Sequence, residues 1–332
     1  MTAPDALHLA PRLRIVFFGT PAFAVPSLHA MIASGHPVVG VVSQPDRPKG
    51  RGQQLQPTPT RIVAQTHGIP VIQPTRIKED SFLQQIRDLR PDLGVVVAFG
   101  RILPDSLLAI PRLGMINVHA SLLPRYRGAA PIQRAVLAGD AETGVTIMRV
   151  ETEMDAGGTF SVGTVPIPPD ATSGDMETTL SHLGARLLVP VVDDLAAGRA
   201  VETPQDHSLA THAAKITKSE GAIDWHAPAA VVHNQVRGLQ PWPLASTTLG
   251  GERYVIRRSA PIAEHPTEPP GTIVRARGDE IVVACGGDGL HGTHGTGTGL
   301  RILEIQPEGR RTMTAREFLA GRGVGEGARF GS

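Results

Sequence analysis

The chain has 332 residues, 41 % of them apolar but only 4 % aromatic, and a formal net charge of +1. Its length is about twice the ~150-residue domain norm, so two domains are expected, with cores built from Val, Leu, Ile and Ala as in a parallel sheet covered by helices. The near-neutral charge excludes a chain coated with cations, so any nucleic-acid contact must be local, and the single Cys285 excludes an internal disulfide or a cysteine-based zinc site.

Residues 1–12 hold Pro4 and Asp5 and no sustained apolar run, and they predict a disordered lead-in rather than a signal segment. No stretch approaches the roughly 18 apolar residues of a membrane span. The expectation is a soluble cytoplasmic protein, and a monomer, since nothing in the sequence demands a dimer.

Arg14-Ile15-Val16-Phe17-Phe18-Gly19 is a continuous apolar run ending in glycine, which predicts a buried central strand. A helix over 26–34 with Gly35 as its stop, then a strand over 38–43, completes a β-α-β unit. The turn after the first strand lacks G-x-G-x-x-G, and G-x-x-x-x-G-K-[ST] occurs nowhere, so dinucleotide and P-loop readings lose their best signal. Residues 44–54 carry Arg47, Lys49 and Arg51 among prolines and glycines and read as a long loop at the carboxyl end of a strand. Helices are predicted near 60–67, 80–89 and 104–109, and strands at 71–72, 93–99 and 115–119.

Further on, a helix over 130–138, strands near 144–150 and 159–165, and a helix over 173–195 close a first domain spanning 13–198. A polar stretch, 199–212, reads as a linker. Domain two, 213–332, opens with a helix over 228–238 and a rigid Pro241-Trp242-Pro243 turn. Five short strands at hairpin spacing follow, which suggests a small OB-like barrel. The fold class is therefore α/β, a Rossmann-like and mostly parallel sheet followed by a smaller OB-like β domain. The glycine-rich stretch 286–299, with His291 and His294, reads as a solvated hairpin tip, and Cys285 as a packing residue.

Chemistry concentrates after the strand over 115–119. Asn117 and His119 are two apart, so both side chains leave one face of the strand. Downstream, Met154-Asp155-Ala156-Gly157-Gly158 offers a carboxylate on a loop that can approach closely. Without a Ser or Cys nucleophile, the set suits direct acyl transfer to an amine: donors for a developing oxyanion and a group to receive the amine's proton. Each residue taken singly also reads as a capping or core hydrogen-bonder. Three of them at adjoining strand ends read as a ligand site, and the pattern alone leaves both readings open. No metal is implied.

These words resemble a known family. Arg14 to Pro21, Gln44-Pro45-Asp46-Arg47-Pro48 with Gly50-Arg51-Gly52, Asn117-Val118-His119 through Pro131-Ile132, Gly144-Val145-Thr146-Ile147-Met148 to Gly158, Pro241-Trp242-Pro243 and Gln306-Pro307-Glu308-Gly309-Arg310-Arg311 stand in order along nearly the whole chain. Together they resemble the 10-formyltetrahydrofolate-dependent formyltransferases, and the basic loop and second domain narrow this to the branch that formylates initiator tRNA. The resemblance implies Asn117, His119 and Asp155 as the catalytic set, with Ser121, Leu122, Leu123 and Pro124 bordering 10-formyltetrahydrofolate as co-substrate. It also implies Arg47, Lys49 and above all Arg51 as contacts to methionyl initiator tRNA, with the second domain helping to dock it. The chain departs from the family's habit in carrying Gln53-Gln54 where lysines often follow Gly-Arg-Gly. A formyltransferase acting on a nucleotide sugar or on glycinamide ribonucleotide would share the Asn-His-Asp set but would not need the cationic loop. A non-catalytic binding protein on this fold would be expected to lack one of the three.

Overall fold

The computed structural model describes residues 11–49, 54–287, 297–321 and 324–331. Most of the expected lead-in, Arg51 and the histidine pair 291 and 294 thus lie outside the described residues. Two compact units are present, one made of 1–131, 143–165 and 177–213, the other of 132–142, 166–176 and 214–332.

In chain order the elements are β1 (Ile15–Gly19), α1 (Val25–Ala33), β2 (Val38–Val42), β3 (Arg47–Lys49), β4 (Gln54–Gln56), α2 (Pro59–Thr66), β5 (Val71–Ile72), α3 (Asp80–Asp88), β6 (Leu93–Val97), α4 (Asp105–Leu108), β7 (Met115–His119), β8 (Arg127–Gly128), α5 (Pro131–Ala138), β9 (Glu142–Arg149), β10 (Thr159–Pro166), α6 (Ser173–Ala196) and β11 (His212–Ala213). The main sheet has the order β10-β9-β7-β6-β1-β2-β5. From β5 to β7 every neighbouring pair is parallel, and β9 then joins β7 antiparallel. This is the mostly parallel α/β sheet that the continuous apolar runs predict. All five residues of β1 and of β6 are buried, as strands covered on both faces must be. Val16, Phe18, Val42, Val96 and Met115 form one core with Phe82, Leu83 and Ile86 of α3. No helix of the described residues is long and apolar enough to cross a membrane.

Residues 44–54, expected as a loop, include a short antiparallel ribbon instead, with β3 and β4 paired Arg47↔Gln56, Pro48↔Leu55 and Lys49↔Gln54. A two-stranded ribbon has only edge strands, so Pro48 costs it little despite lacking an N–H. Composition alone hides such a strand. At the ribbon's base the Asp46 carboxylate pairs with Arg61 and accepts from Gln73 Nε2 at 2.8 Å, while the same Nε2 donates to the Gln44 carbonyl at 2.9 Å. Arg61 is placed by α2, which starts at Pro59 because Thr58 caps it, its Oγ1 accepting from the Arg61 amide at 3.4 Å.

Residues 199–212 belong to the first unit by their packing. Thr203 bridges Thr159, Gln205 is buried, and β11 pairs in parallel with β8. The buried Gln205 carries its polarity inward, where its amide bonds backbone carbonyls. Helix α5, expected within the first domain, groups with the second unit from Ile132 onward.

The second unit adds α7 (Ala229–Gly238), β12 (Ala245–Leu249), β13 (Glu252–Ile262), β14 (Ile273–Arg277), β15 (Glu280–Gly287), β16 (Gly297–Pro307), β17 (Met313–Thr314) and α8 (Ala315–Gly321). Its antiparallel sheet runs β12-β13-β16-β15-β14, with β17 beside β16. This is the small β domain expected from strand spacing, with β17 and α8 in addition. Val232 and Val236 of α7 and Phe318 of α8 share one core with Trp225, Tyr254, Ile256, Ile281, Ile302 and Phe330. Trp225 stacks on Phe330 at 5.5 Å, and its Nε1 donates to Thr247 Oγ1 at 2.9 Å. Burial pushes the Cys285 thiol up to about 12, so this residue packs and does not ionise near neutrality.

Gly286 is the tightest point of this unit, because a Cβ there would lie 1.7 Å from the His226 carbonyl oxygen. Its amide donates to the carbonyls of Trp225 at 2.9 Å and Ala227 at 3.1 Å. Gly286→Ala is expected to destabilise the second unit by about 2–3 kcal/mol, in the range of core overpacking. Both tryptophans, Trp225 and Trp242, lie in this unit, so thermal unfolding followed by tryptophan fluorescence reads the loss directly.

Candidate active site

Strand β7 reads Met-Ile-Asn-Val-His, and its alternation sends Asn117 and His119 to one face. It lies between β6, with Val96 opposite Asn117, and β9, with Met148 opposite Asn117 and Thr146 opposite His119. Asn117 is half-buried and His119 is 5 % exposed. Among the described residues the Asn117 carboxamide has no hydrogen-bond partner.

Beyond the strand the chain is tied down by local bonds. Thr146 Oγ1 donates to the Ser121 carbonyl at 2.8 Å and accepts from the Leu123 amide at 3.2 Å. Ser121 is fully buried and donates its hydroxyl to the Arg125 carbonyl at 2.7 Å, so that hydroxyl holds the turn together. Leu122, Leu123 and Pro124 are half-buried and give this turn an apolar surface.

The turn brings the Tyr126 carbonyl to 3.0 Å from His119 Nε2. A carbonyl can only accept, so Nε2 carries the hydrogen, and in the neutral ring the lone pair is on Nδ1. Nδ1 lies 3.7 Å from Asp155 Oδ1, a separation for an ion pair but too long for a hydrogen bond. The other carboxylate oxygen, Oδ2, accepts from the Gly128 amide at 2.8 Å. Gly128 has φ 118°, a conformation that suits glycine. Asp155 itself is left-handed at φ 52°, which Asp tolerates better than most residues. The structure thus brings Asn117, His119 and Asp155 to one region.

Three further residues complete the geometry, and sequence reasoning singled out none of them. Gln205 Nε2 donates to the carbonyls of Asp155 at 2.9 Å and Gly157 at 2.7 Å. Arg127 donates to Gln205 Oε1 from Nη2 at 2.8 Å and Nε at 3.2 Å. Thr146 is the third. Arg127 and Thr146 sat inside the matching words, but Gln205 stood in a stretch whose only signal was polarity.

The basic ribbon rises from the same edge of the sheet. Gln44, just past β2, donates from Nε2 to the Phe99 carbonyl at 2.8 Å, just past β6. Strands β2, β6 and β7 run parallel, so their carboxyl ends share one edge, where α/β sheets bind ligands. Arg47 is exposed and donates to Gln44 Oε1 at 2.9 Å. Lys49 is placed by its backbone pairing with Gln54. Glu151, Thr152 and Glu153, just before Asp155, line an open cleft of about 610 Å³ with Asp105, Leu108 and Ala109. None of Asn117, His119 and Asp155 is among its lining residues. Nor do the described residues gather three or more His, Cys, Asp or Glu in a group able to hold a metal ion.

Comparison with known proteins gives this geometry a family. The sequence profile of the formyl transferases matches residues 13–192, and that of the formyl transferase C-terminal domain matches residues 215–323. The methionyl-tRNA formyltransferase of Methylococcus capsulatus is 47 % identical over 307 residues, covering 92 % of this chain and 96 % of its own length. That of Moorella thermoacetica is 47 % identical over 309 residues, 93 % of this chain and 96 % of its own. Among solved structures, an N-formyltransferase from Helicobacter canadensis in complex with folinic acid and dTDP-3-aminofucose superposes with a TM-score of 0.66 at 17 % identity, covering 89 % of this chain and 99 % of its own. HypX from Aquifex aeolicus in complex with tetrahydrofolic acid gives 0.59 at 15 % identity, covering 92 % of this chain and 46 % of its own. At such identities the two structures speak to the fold alone. The two profiles and the close relatives go further: the chain belongs to the formyl transferase family, with both its N-terminal and its C-terminal domain.

Proposed function

We propose that this enzyme transfers the formyl group of 10-formyltetrahydrofolate to the α-amino group of methionyl initiator tRNA, for translation initiation. The observation that carries the reading is the Asn117, His119 and Asp155 set at the sheet edge from which the basic ribbon also rises. Relatives named methionyl-tRNA formyltransferase, alike over 92 % and 93 % of this chain, support the acceptor, and the folate in two structures of the same fold supports the donor.

In this reading the folate supplies an activated formyl group, bordered by Ser121, Leu122, Leu123 and Pro124. The amine attacks the formyl carbon, the carbonyl electron pair moves to oxygen, the amine loses a proton, and the bond to the folate nitrogen breaks as that nitrogen gains one. Asn117 donates to the developing oxyanion with its unpaired carboxamide N–H. Two positions are open to the departing proton. His119 Nε2 already donates to Tyr126 and Asp155 Oδ2 already accepts from Gly128, which leaves Nδ1 and Oδ1, 3.7 Å apart. The proton is held by these two groups as a pair, each stabilising the charge of the other.

The acceptor end of the tRNA is met by Arg47, Lys49 and Arg51, whose cations neutralise phosphate and set register rather than read bases. Residues 13–198 carry the chemistry and 213–332 dock the tRNA, with the enzyme working as a cytoplasmic monomer and without a metal.

The test of substrate is transfer of labelled formyl from 10-formyltetrahydrofolate to methionyl initiator tRNA, beside a nucleotide-linked amino sugar and glycinamide ribonucleotide. Label is expected on the tRNA, and label on a small amine with none on tRNA would replace this reading. For mechanism, Asn117→Ala and Asp155→Asn are each expected to lower kcat by about a hundredfold or more while folate still binds, in the range of a lost oxyanion donor. Single-turnover rates equal to wild type would remove these residues from the chemistry. Arg51→Ala is expected to raise KM for tRNA, to make that KM less steeply dependent on salt than in wild type, and to leave folate affinity as it was. A changed folate affinity would take the ribbon out of the tRNA contact.

A further inference from the structure

Asp155 works only if its carboxylate points at His119, and its own backbone does little to ensure that. A left-handed φ of 52° costs a non-glycine residue on the order of 1–2 kcal/mol, so the loop needs an outside constraint. One side chain supplies it. The Gln205 carboxamide spans the loop by donating to the carbonyls on either side of Ala156, those of Asp155 and Gly157. Its oxygen is taken by two donors of Arg127, which fixes the amide orientation without ambiguity. Gln205 and Arg127 are each only 8 % exposed, so little water competes for these bonds.

The same short strand closes the circuit. Arg127 orients Gln205, and its neighbour Gly128 gives its amide to the Asp155 carboxylate. Strand β8 is in turn held by the stretch that carries Gln205, with Arg127 N–H donating to the Thr211 carbonyl at 2.8 Å and Ala129 N–H to the Ala213 carbonyl at 2.9 Å. Gly157 packs closely against β9, where a Cβ added to it would lie 2.3 Å from the Arg149 carbonyl oxygen. Backbone and carboxylate of Asp155 are thus gripped from one side by the pair β8 and 205–213.

We infer that Gln205, oriented by Arg127, is a positioning residue for the formyl-transfer reaction: it holds the Asp155 loop so that the carboxylate faces His119 Nδ1. This rests on the function proposed above. Gln205 touches no reacting atom, and its effect passes through Asp155.

The experiment is a double-mutant cycle on full-length enzyme with methionyl initiator tRNA and 10-formyltetrahydrofolate. Gln205→Glu keeps a partner for Arg127 but can no longer donate to the two carbonyls, and Gln205→Met, run in parallel, removes both sets of bonds without adding charge. Each is expected to lower kcat at least about tenfold with KM for folate and tRNA within about twofold of wild type. In the Asp155→Asn background the same change is expected to cost less than about twofold more, because the group it positions is already gone. Wild-type kcat in both Gln205 variants, or an equal further loss in the Asp155→Asn background, would overturn the inference, the second outcome marking a general structural role. A variant that does not fold is set aside and the other decides; if neither folds, Arg127→Lys is read by the same cycle. Full activity of Asp155→Asn alone would instead strike the proposed function.

Discussion

The hydrogen bond from the Gly128 amide to the Asp155 carboxylate joins two segments that sequence keeps 27 residues apart, and the site depends on it. Without it the carboxylate has no fixed direction, and His119 faces an undefined neighbour. The bond exists because Gly128 adopts φ 118°, which turns its N–H toward the loop, and because Asp155 accepts a left-handed backbone. On the other side His119 is fixed by the Tyr126 carbonyl, two residues before Gly128. One turn therefore orients both members of the pair, and it does so with backbone groups, which cannot rotate away as side chains can. Its cost is local strain, offset by the buried network of Arg127 and Gln205 behind it.

The sheet determines where this turn can stand. Parallel pairing from β5 through β7 puts the carboxyl ends of the strands on one edge, and antiparallel β9 then seals the flank of β7 with Thr146 opposite His119. That threonine hydrogen-bonds the turn twice, to Ser121 and to Leu123. A residue in a flanking strand thereby controls a loop it does not belong to. The basic ribbon uses the same edge in another way: its base is locked by Asp46, Arg61 and Gln73. Chemistry and the proposed tRNA contact are separated along the chain but share a rigid support.

The second unit follows a different logic. It lacks long apolar runs and depends on a few large side chains, with Trp225, Tyr254, Phe318 and Phe330 meeting at one core. In a chain only 4 % aromatic this concentration is informative, since each ring buries more area than an aliphatic residue. The strands around it are antiparallel, so their alternation shows in sequence while the helix closing the core, α8, does not.

What sequence by itself determined was whatever depends on near neighbours. Strands β1, β2 and β6 were legible because a strand covered on both faces must be apolar throughout, and the shared face of Asn117 and His119 was legible because strand periodicity is two. The stop at Gly35 followed from helix-termination chemistry within a few residues. The tertiary structure alone decided the rest. The ribbon of β3 and β4 hides behind Pro48, Helix α5 from Ile132 onward packs in the second unit, and residues 199–212, polar enough to read as a linker, bring Gln205 beneath Asp155. Each of these depends on a partner far along the chain, a backbone carbonyl or a packed face whose position is set only when the fold closes. A polar residue bonded to such a carbonyl looks, in sequence, the same as one bonded to water.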